Sequence, residues 1–392
     1  MNANRANYRE ELSDYEGVSM LTHGRNVSYD IPDPKLPEIS QWIIGNPNRV
    51  NLGRIGLKYK GKFLSEADIS SPRQELDVWN GLVTSEFVVD GQQVQVVTQG
   101  DLESDAVVFN IESDLVASGD LEVLLDFPYP PIHTTKYKYE VFVGVYDFPA
   151  NHTTILKENR ENRHTAHIYH EMQETKYHVN LRWASDAPLA PTREQSERST
   201  AINAHRFTLE NRRNSSSISF TALFSPEKKI PSAPSAIQKR SVKDWHNYWK
   251  KGGFVDLTES TNAAADELQR RIILSQYHVR VNSAAKGQSP QESGLMNNGW
   301  YGKAHFEMFI WHNAHWATWG RQSFFDNIFP EAYTKLLPSS LARAKSMGWE
   351  GARWPKMTEW ITGRSSPGGI NGLLLWQQVH DLSATCICAL LT

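Results

Sequence analysis

Cysteine is nearly missing from this 392-residue chain: there are two, Cys386 and Cys388, one residue apart. Extended side chains at that spacing rarely form a structural disulfide, and two thiols cannot complete a zinc site without further ligands, for which no pattern exists. A disulfide framework is excluded, so stability must come from a packed core. An excess of charge of one sign is missing too: 41 basic residues stand against 44 acidic ones, a net charge of −3. Such a balance gives no electrostatic footprint for nucleic acid or an anionic membrane surface. A long apolar run is absent as well, and the first twenty residues, MNANRANYREELSDYEGVSM, have no hydrophobic centre. They read neither as a signal peptide nor as a membrane anchor, so the chain as written is expected to be cytoplasmic. Secretion stays open if its N-terminus is incomplete.

Nucleotide and nucleophile motifs are missing in turn. No P-loop, G-x-S-x-G elbow or G-x-G-x-x-G stands between a strand and a helix. Gly363 to Gly372, GRSSPGGING, is glycine-rich but lacks the lysine of a phosphate loop, and reads as a rim loop. His305 and Glu307, two apart, diverge by about 200° on a helix, unlike an i, i+4 metal pair. His312 and His315 lie closer to one face, where lone helical histidines are more often packing residues. No metal and no cofactor are expected.

What the chain does have is a hydrophobic period that changes once. From about residue 80 to 225 the period is two, as in TSEFVV, QVQVVTQ, VVFNI, LEVLLDF, YEVFVGVYDF, HIYHEM, KYHVNLRW and SISFTALF. Turn residues separate these segments, Asp90-Gly91 foremost. Successive strands without intervening helices predict an antiparallel sandwich. PEKKIPSAPSA, residues 226–236, reads as a linker, after which the period becomes helical. Trp245, Tyr248 and Trp249 share one helix, and Ala264, Leu268, Ile272 and Gln276 trace another behind Thr261 and Asn262. Further helices are expected near 305–320, 329–337, 339–347 and 371–380, with Pro338 and Gly348 as breaks. The expected class is α+β with two domains: a β-sandwich over 1–225, a linker with helices over 226–295, and a helical domain over 296–392.

Aromatics are unevenly spread. Eight of the 13 tryptophans fall between residues 300 and 376, beside histidines, glycines and a few charges. A sugar ring offers an apolar C–H face and a rim of hydroxyls, so its site needs flat aromatic platforms next to fixed donors and acceptors. Trp300, Tyr301, Lys303, His305, Glu307, Arg353, Trp354 and Lys356 supply both. Trp311, Trp316 and Trp319 fit helix packing better, whereas Trp300 and Trp354 sit in glycine-flanked loops.

A sandwich, a linker and then helices opening on this motif resemble the six-hairpin glycosidases, especially the maltose and kojibiose phosphorylase and acid trehalase group. Gly299-Trp300-Tyr301-Gly302-Lys303-Ala304-His305-Phe306-Glu307 is similar to that family's G-Y-x-G-H-x-F-W-D stretch. Gly351-Ala352-Arg353-Trp354-Pro355-Lys356 is similar to its Gly-Ala-x-Tyr-Pro-Trp segment. Where the family has His, Trp and Asp, this chain has Lys303, Phe306 and Glu307, so the sugar does not transfer with the resemblance.

The resemblance implies a β-super-sandwich followed by an (α/α) six-hairpin barrel that hydrolyses or phosphorolyses glycosidic bonds. It implies Trp300, Lys303, His305, Glu307, Arg353, Trp354 and Lys356 as substrate-binding residues, a carbohydrate as partner, and phosphate as the alternative acceptor to water. It also places the general acid on a loop beyond the second segment. Twelve helices of about 12 residues with loops need well over ~200 residues, more than follow Ile237. The barrel is therefore expected to be incomplete, the chain to be a truncated member, and this form to lack turnover. A non-catalytic sugar binder and a sugar isomerase or epimerase are the alternatives, because paired-helix barrels host more than one chemistry.

Overall fold

The structure is a computed structural model of the whole chain and describes residues 18–29, 33–37, 39–40, 51–129, 144–146, 148–158, 164–172, 175–184, 189–193, 205–211, 215–284, 304–346, 348, 350–354 and 357–358. It divides into two compact units. One comprises Val50–Pro130 with Gly144–Lys251. The other comprises Met1–Arg49, Pro131–Val143 and Gly252–Thr392.

The first unit is a sandwich of two antiparallel sheets. Its strands are β3 (Arg54–Tyr59), β4 (Lys62–Phe63), β5 (Ser70–Asp77), β6 (Leu82–Val89), β7 (Gln92–Gly100), β8 (Ala106–Glu112), β9 (Leu121–Asp126), β10 (His152–Glu158), β11 (Thr165–Met172), β12 (Thr175–Trp183), β13 (Leu189–Arg193), β14 (Arg206–Asn211) and β15 (Ser217–Ser225). Strands β1 (Val18–Thr22) and β2 (Arg25–Tyr29) form a hairpin in the other unit. The larger sheet has the order β10-β11-β12-β15-β8-β7-β6-β5 and the smaller β13-β14-β9-β3-β4. Alternation explains why they stack. Leu121, Val123 and Leu125 of β9, Val179, Leu181 and Trp183 of β12, Phe207 and Leu209 of β14, and Ile218, Phe220 and Ala222 of β15 form one buried core. Each leucine or phenylalanine so removed from water contributes about 1.5–3 kcal/mol.

The other strands read from the sequence are present, whereas YEVFVGVYDF lies mostly outside the described residues and shows only a Tyr129–Val145 bridge, and the order is not a plain meander. β15 inserts between β12 and β8, and the chain crosses to the smaller sheet between β8 and β10. A short helix, α1 (Asp114–Ser118), also interrupts it, capped by the Ser113 hydroxyl and closed by Gly119 at φ 80°. Residues 226–233 are pinned to the sheet rather than free. Lys229 N donates to Asn180 Oδ1, and Arg182 and Thr221 donate to the carbonyls of Pro231 and Ser232.

Helix α2 (Pro234–Lys250) belongs to the sandwich unit. Arg240 binds Asp101, Ser241 donates to Gly100 O, and Trp249 Nε1 donates to Val78 O at 2.6 Å. Among the described residues the second unit carries helices α3 (Ala265–Ser283), α4 (Phe309–Thr318), α5 (Gln322–Asp326) and α6 (Phe329–Ser346). The break expected at Pro338 does not occur, because α6 runs through it. Ala332, Leu336, Ser340 and Ala344 recur every four residues on its buried face, and that packing outweighs the one backbone bond proline removes. The helix expected at 371–380 lies outside the described residues. No helix among them is long and apolar enough to cross a membrane.

Candidate functional site

Two short strands bring the motif segments together. β16 (Ala304–His305) pairs antiparallel with β17 (Met357–Thr358), with Ala304 opposite Thr358 and His305 opposite Met357. Residues more than fifty positions apart thus share one ribbon. A 3-10 turn over Phe306–Met308 follows directly and leads into α4.

The ribbon rests on a small aromatic core. Phe306, Leu336 and Trp354 are buried together, with Tyr333, Leu337 and Ala352 packed against them. Tyr333 meets Phe306 and Trp354 edge-on, with ring centroids 5.1 Å and 5.3 Å away. Trp354 Nε1 donates to Tyr333 O at 3.2 Å, and Arg353 N donates to Ser340 O at 3.0 Å. Helix α6 therefore carries the 351–354 segment. Phe309, fully buried, extends the cluster to Phe325 and Phe329.

His305 and Arg353 are enclosed, at 1% and 5% exposure. A guanidinium held inside a fold presents its donors in fixed directions instead of sweeping through solvent. Glu307 lies in the 3-10 turn between His305 and α4. Trp300, Lys303 and Lys356 lie outside the described residues.

Two of the tryptophans differ from expectation. Trp354 was expected to gain little burial in a glycine-flanked loop, yet it is 8% exposed, because α6 supplies both a ring partner and an acceptor for its N–H. Trp311, expected to pack, is 70% exposed on α4. The buried side of that helix is taken by Phe309, Asn313 and Trp316. The helical register alone left that choice open: Phe309, Asn313 and Trp316 share one stripe, and Trp311 and His315 another.

His315 lies tilted against Trp316, ring centroids 4.3 Å apart, and burial, with the charges of His312 and Arg321, pushes it down to about 4. Among the described residues no group of three or more His, Cys, Asp or Glu side chains has the geometry to hold a metal.

No protein-family model matches the chain, and no curated protein does. Among solved structures it is similar to a bacterial glucoamylase complexed with acarbose, with a TM-score of 0.49 and 10% identity over 84% of this chain and 51% of that one. The chain thus spans about half the length of that protein. At this identity and score, family and chemistry have to be argued from the chain's own residues.

Proposed function

We propose that this chain is a carbohydrate-active protein of the six-hairpin glycosidase type. Its sugar-facing wall would be formed by His305, Glu307, Arg353 and Trp354, with Trp300, Lys303 and Lys356 on the same two segments. The observation that carries this reading is the pairing of β16 with β17, which joins the two sequence segments behind the resemblance into one ribbon. Buried His305 on it and buried Arg353, shortly before β17, are fixed hydrogen-bonding groups of the kind hydroxyl recognition needs.

Trp354 would act mainly by holding Arg353 in place, since its own N–H is spent on Tyr333 O. Glu307 would accept sugar hydroxyls rather than transfer protons. Cleavage, by water or by phosphate, needs two opposed carboxyl groups, roughly 5–5.5 Å apart for retention and 6.5–9.5 Å for inversion. We assign it to the whole protein, with the helices after residue 296 as part of an (α/α) barrel.

The second reading is a sugar binder without turnover, and exposed Trp311 favours it as a ready aromatic platform. The test is a panel of α- and β-linked disaccharides offered to the 392-residue chain with and without phosphate, scored for binding and for released monosaccharide. Release of monosaccharide supports the enzyme and overturns the expectation that this form lacks turnover, binding without release supports the sugar-facing wall common to both readings, and no binding of any sugar overturns both.

A further inference from the structure

The turn between β5 and β6 presents an aromatic ring to solvent. Trp79 is 44% exposed, although the turn that carries it is firmly tied. Asp77 Oδ1 accepts the backbone N–H groups of Trp79 and Asn80, and Asp77 Oδ2 accepts from Asn80 Nδ2. Gly81 N donates to Asp77 O at 2.8 Å, and Gln99 Nε2 donates to Asn80 O at 2.9 Å. From α2, Trp249 Nε1 donates to Val78 O, and His246 Nε2 stands 2.9 Å from Asn80 Oδ1. Asn80 spends its Nδ2 on Asp77, so its Oδ1 is the acceptor and His246 carries a proton on Nε2.

That bond fixes the imidazole against the indole. The rings of Trp79 and His246 stack, with centroids 4.4 Å apart and planes 26° from parallel. Trp79 is therefore a flat surface backed on one face and held in one orientation. Attachment of the turn to α2 rests on other groups: Trp245 packs on Gly81, and Trp249 and His246 bond Val78 O and Asn80. The part of the indole left in water is what a ligand can use.

The rim of this platform is rich in donors. The indole N–H of Trp79 makes no hydrogen bond among the described residues. Lys250, one turn beyond His246 on α2, sets its ammonium 5.9 Å from the ring centroid. An ammonium and an indole N–H can only donate. The nearest side-chain acceptors, the oxygens of Asp77 and Asn80, are directed onto the turn and α2 instead. A ligand that suits the rim brings acceptors and negative charge.

We propose that Trp79 and Lys250 form a surface site for an acidic sugar, a uronate residue of a glycan. Its C–H face stacks on the indole, its carboxylate meets the Lys250 ammonium, and a ring or hydroxyl oxygen accepts the indole N–H. The site lies within the sandwich unit and shares no residue with the β16–β17 ribbon, so it does not rest on that reading. A proline-rich peptide is the other common partner of an exposed tryptophan, but it needs an aromatic-lined groove. Among the described residues, the ring contact of Trp79 is with His246 alone.

The test is calorimetric titration of the full chain with hexamers of galacturonate and of mannuronate, and with maltohexaose as the neutral counterpart. An acidic hexamer should bind at least about tenfold more tightly than maltohexaose, and less tightly as salt is raised. Trp79→Ala should weaken that binding about tenfold or more, while Trp79→Phe, which keeps a flat ring, should retain most of it. Lys250→Gln removes no buried group, so it should leave the melting temperature unchanged and abolish the preference for the acidic hexamer. Trp79→Ala should also leave binding of the panel disaccharides as it is, which separates this site from the ribbon. Failure of both acidic hexamers to bind, equal affinity in Trp79→Ala, or maltohexaose bound as tightly overturns the proposal. Binding of a proline decapeptide that Trp79→Ala abolishes would assign the platform to a peptide and overturn it too.

Discussion

Gly81 lies so close to Trp245 that a Cβ built on it would stand 1.8 Å from the indole Nε1. Its φ of +65° is also a conformation that side chains disfavour. The two residues join the β5–β6 turn to α2, and Trp249 and His246 complete the joint through Val78 O and Asn80 Oδ1. Gly81→Ala must displace a buried tryptophan and strain the backbone. We expect a loss of at least ~2 kcal/mol, from overpacking and strain together, measurable by urea unfolding. A midpoint within error of the wild type would show that α2 is not held at this point.

Acid should weaken the fold in a defined window. His152, His167 and His170 are pushed by burial to about 4, 4 and 3 respectively, below the unfolded value near 6.5. The unfolded chain therefore binds more protons below that value, so stability is full above pH 6.5 and declines toward pH 4, by at most ~1.4 kcal/mol per pH unit per group. Asp101 adds a later loss. Burial pushes its carboxyl up, but hydrogen bonds from Arg240, Ser104 and the Glu103 N–H outweigh this and hold it below the usual value. Its contribution is complete above about pH 4 and disappears only below it. Melting temperature should be flat from pH 7 to 8 and fall steadily from 6.5 to 4; a curve flat down to pH 4.5 would contradict the neutral buried histidines.

The β-sandwich was largely legible because side-chain period and turn chemistry agree there. Asp90 and Gly91, at φ 50° and 78°, make the left-handed turn their identities foretold, and Val89 and Val94 on either side reach the core. Where local rules meet tertiary packing, the sequence misled. Pro338 reads as a stop, yet Leu336 and Ser340 keep α6 continuous; Trp354 reads as a loop residue, yet α6 buries it. The contacts of buried His152 with His170 and His205 were invisible in the sequence, because these residues lie far apart along the chain and are brought together by the fold.

Leu336 is the support beneath the candidate wall. Leu336→Ala should remove contacts to both Phe306 and Trp354 and cost about 2–5 kcal/mol. It should also weaken any sugar binding, because the ribbon loses its backing. Trp354→Phe keeps one aromatic ring but loses the second ring of the indole and its bond to Tyr333 O, the bond alone being worth about 1 kcal/mol in stability. Thermal melts of both variants check the order; equal losses would mean that Trp354, not Leu336, holds the segment.

The proposed wall stands or falls on a carboxylate that accepts sugar hydroxyls. The direct measurement is calorimetric binding of the best disaccharide from the panel to the wild type and to Glu307→Gln, at pH 7 and pH 5.5. Glu307→Gln keeps the shape but turns one acceptor into a donor, so we expect at least a tenfold weaker Kd, in the range for a charged hydrogen bond. The melting temperature should be unchanged, and wild-type affinity should be equal at the two pH values. Equal Kd for the two proteins would contradict the assignment of Glu307 and with it the sugar-binding wall.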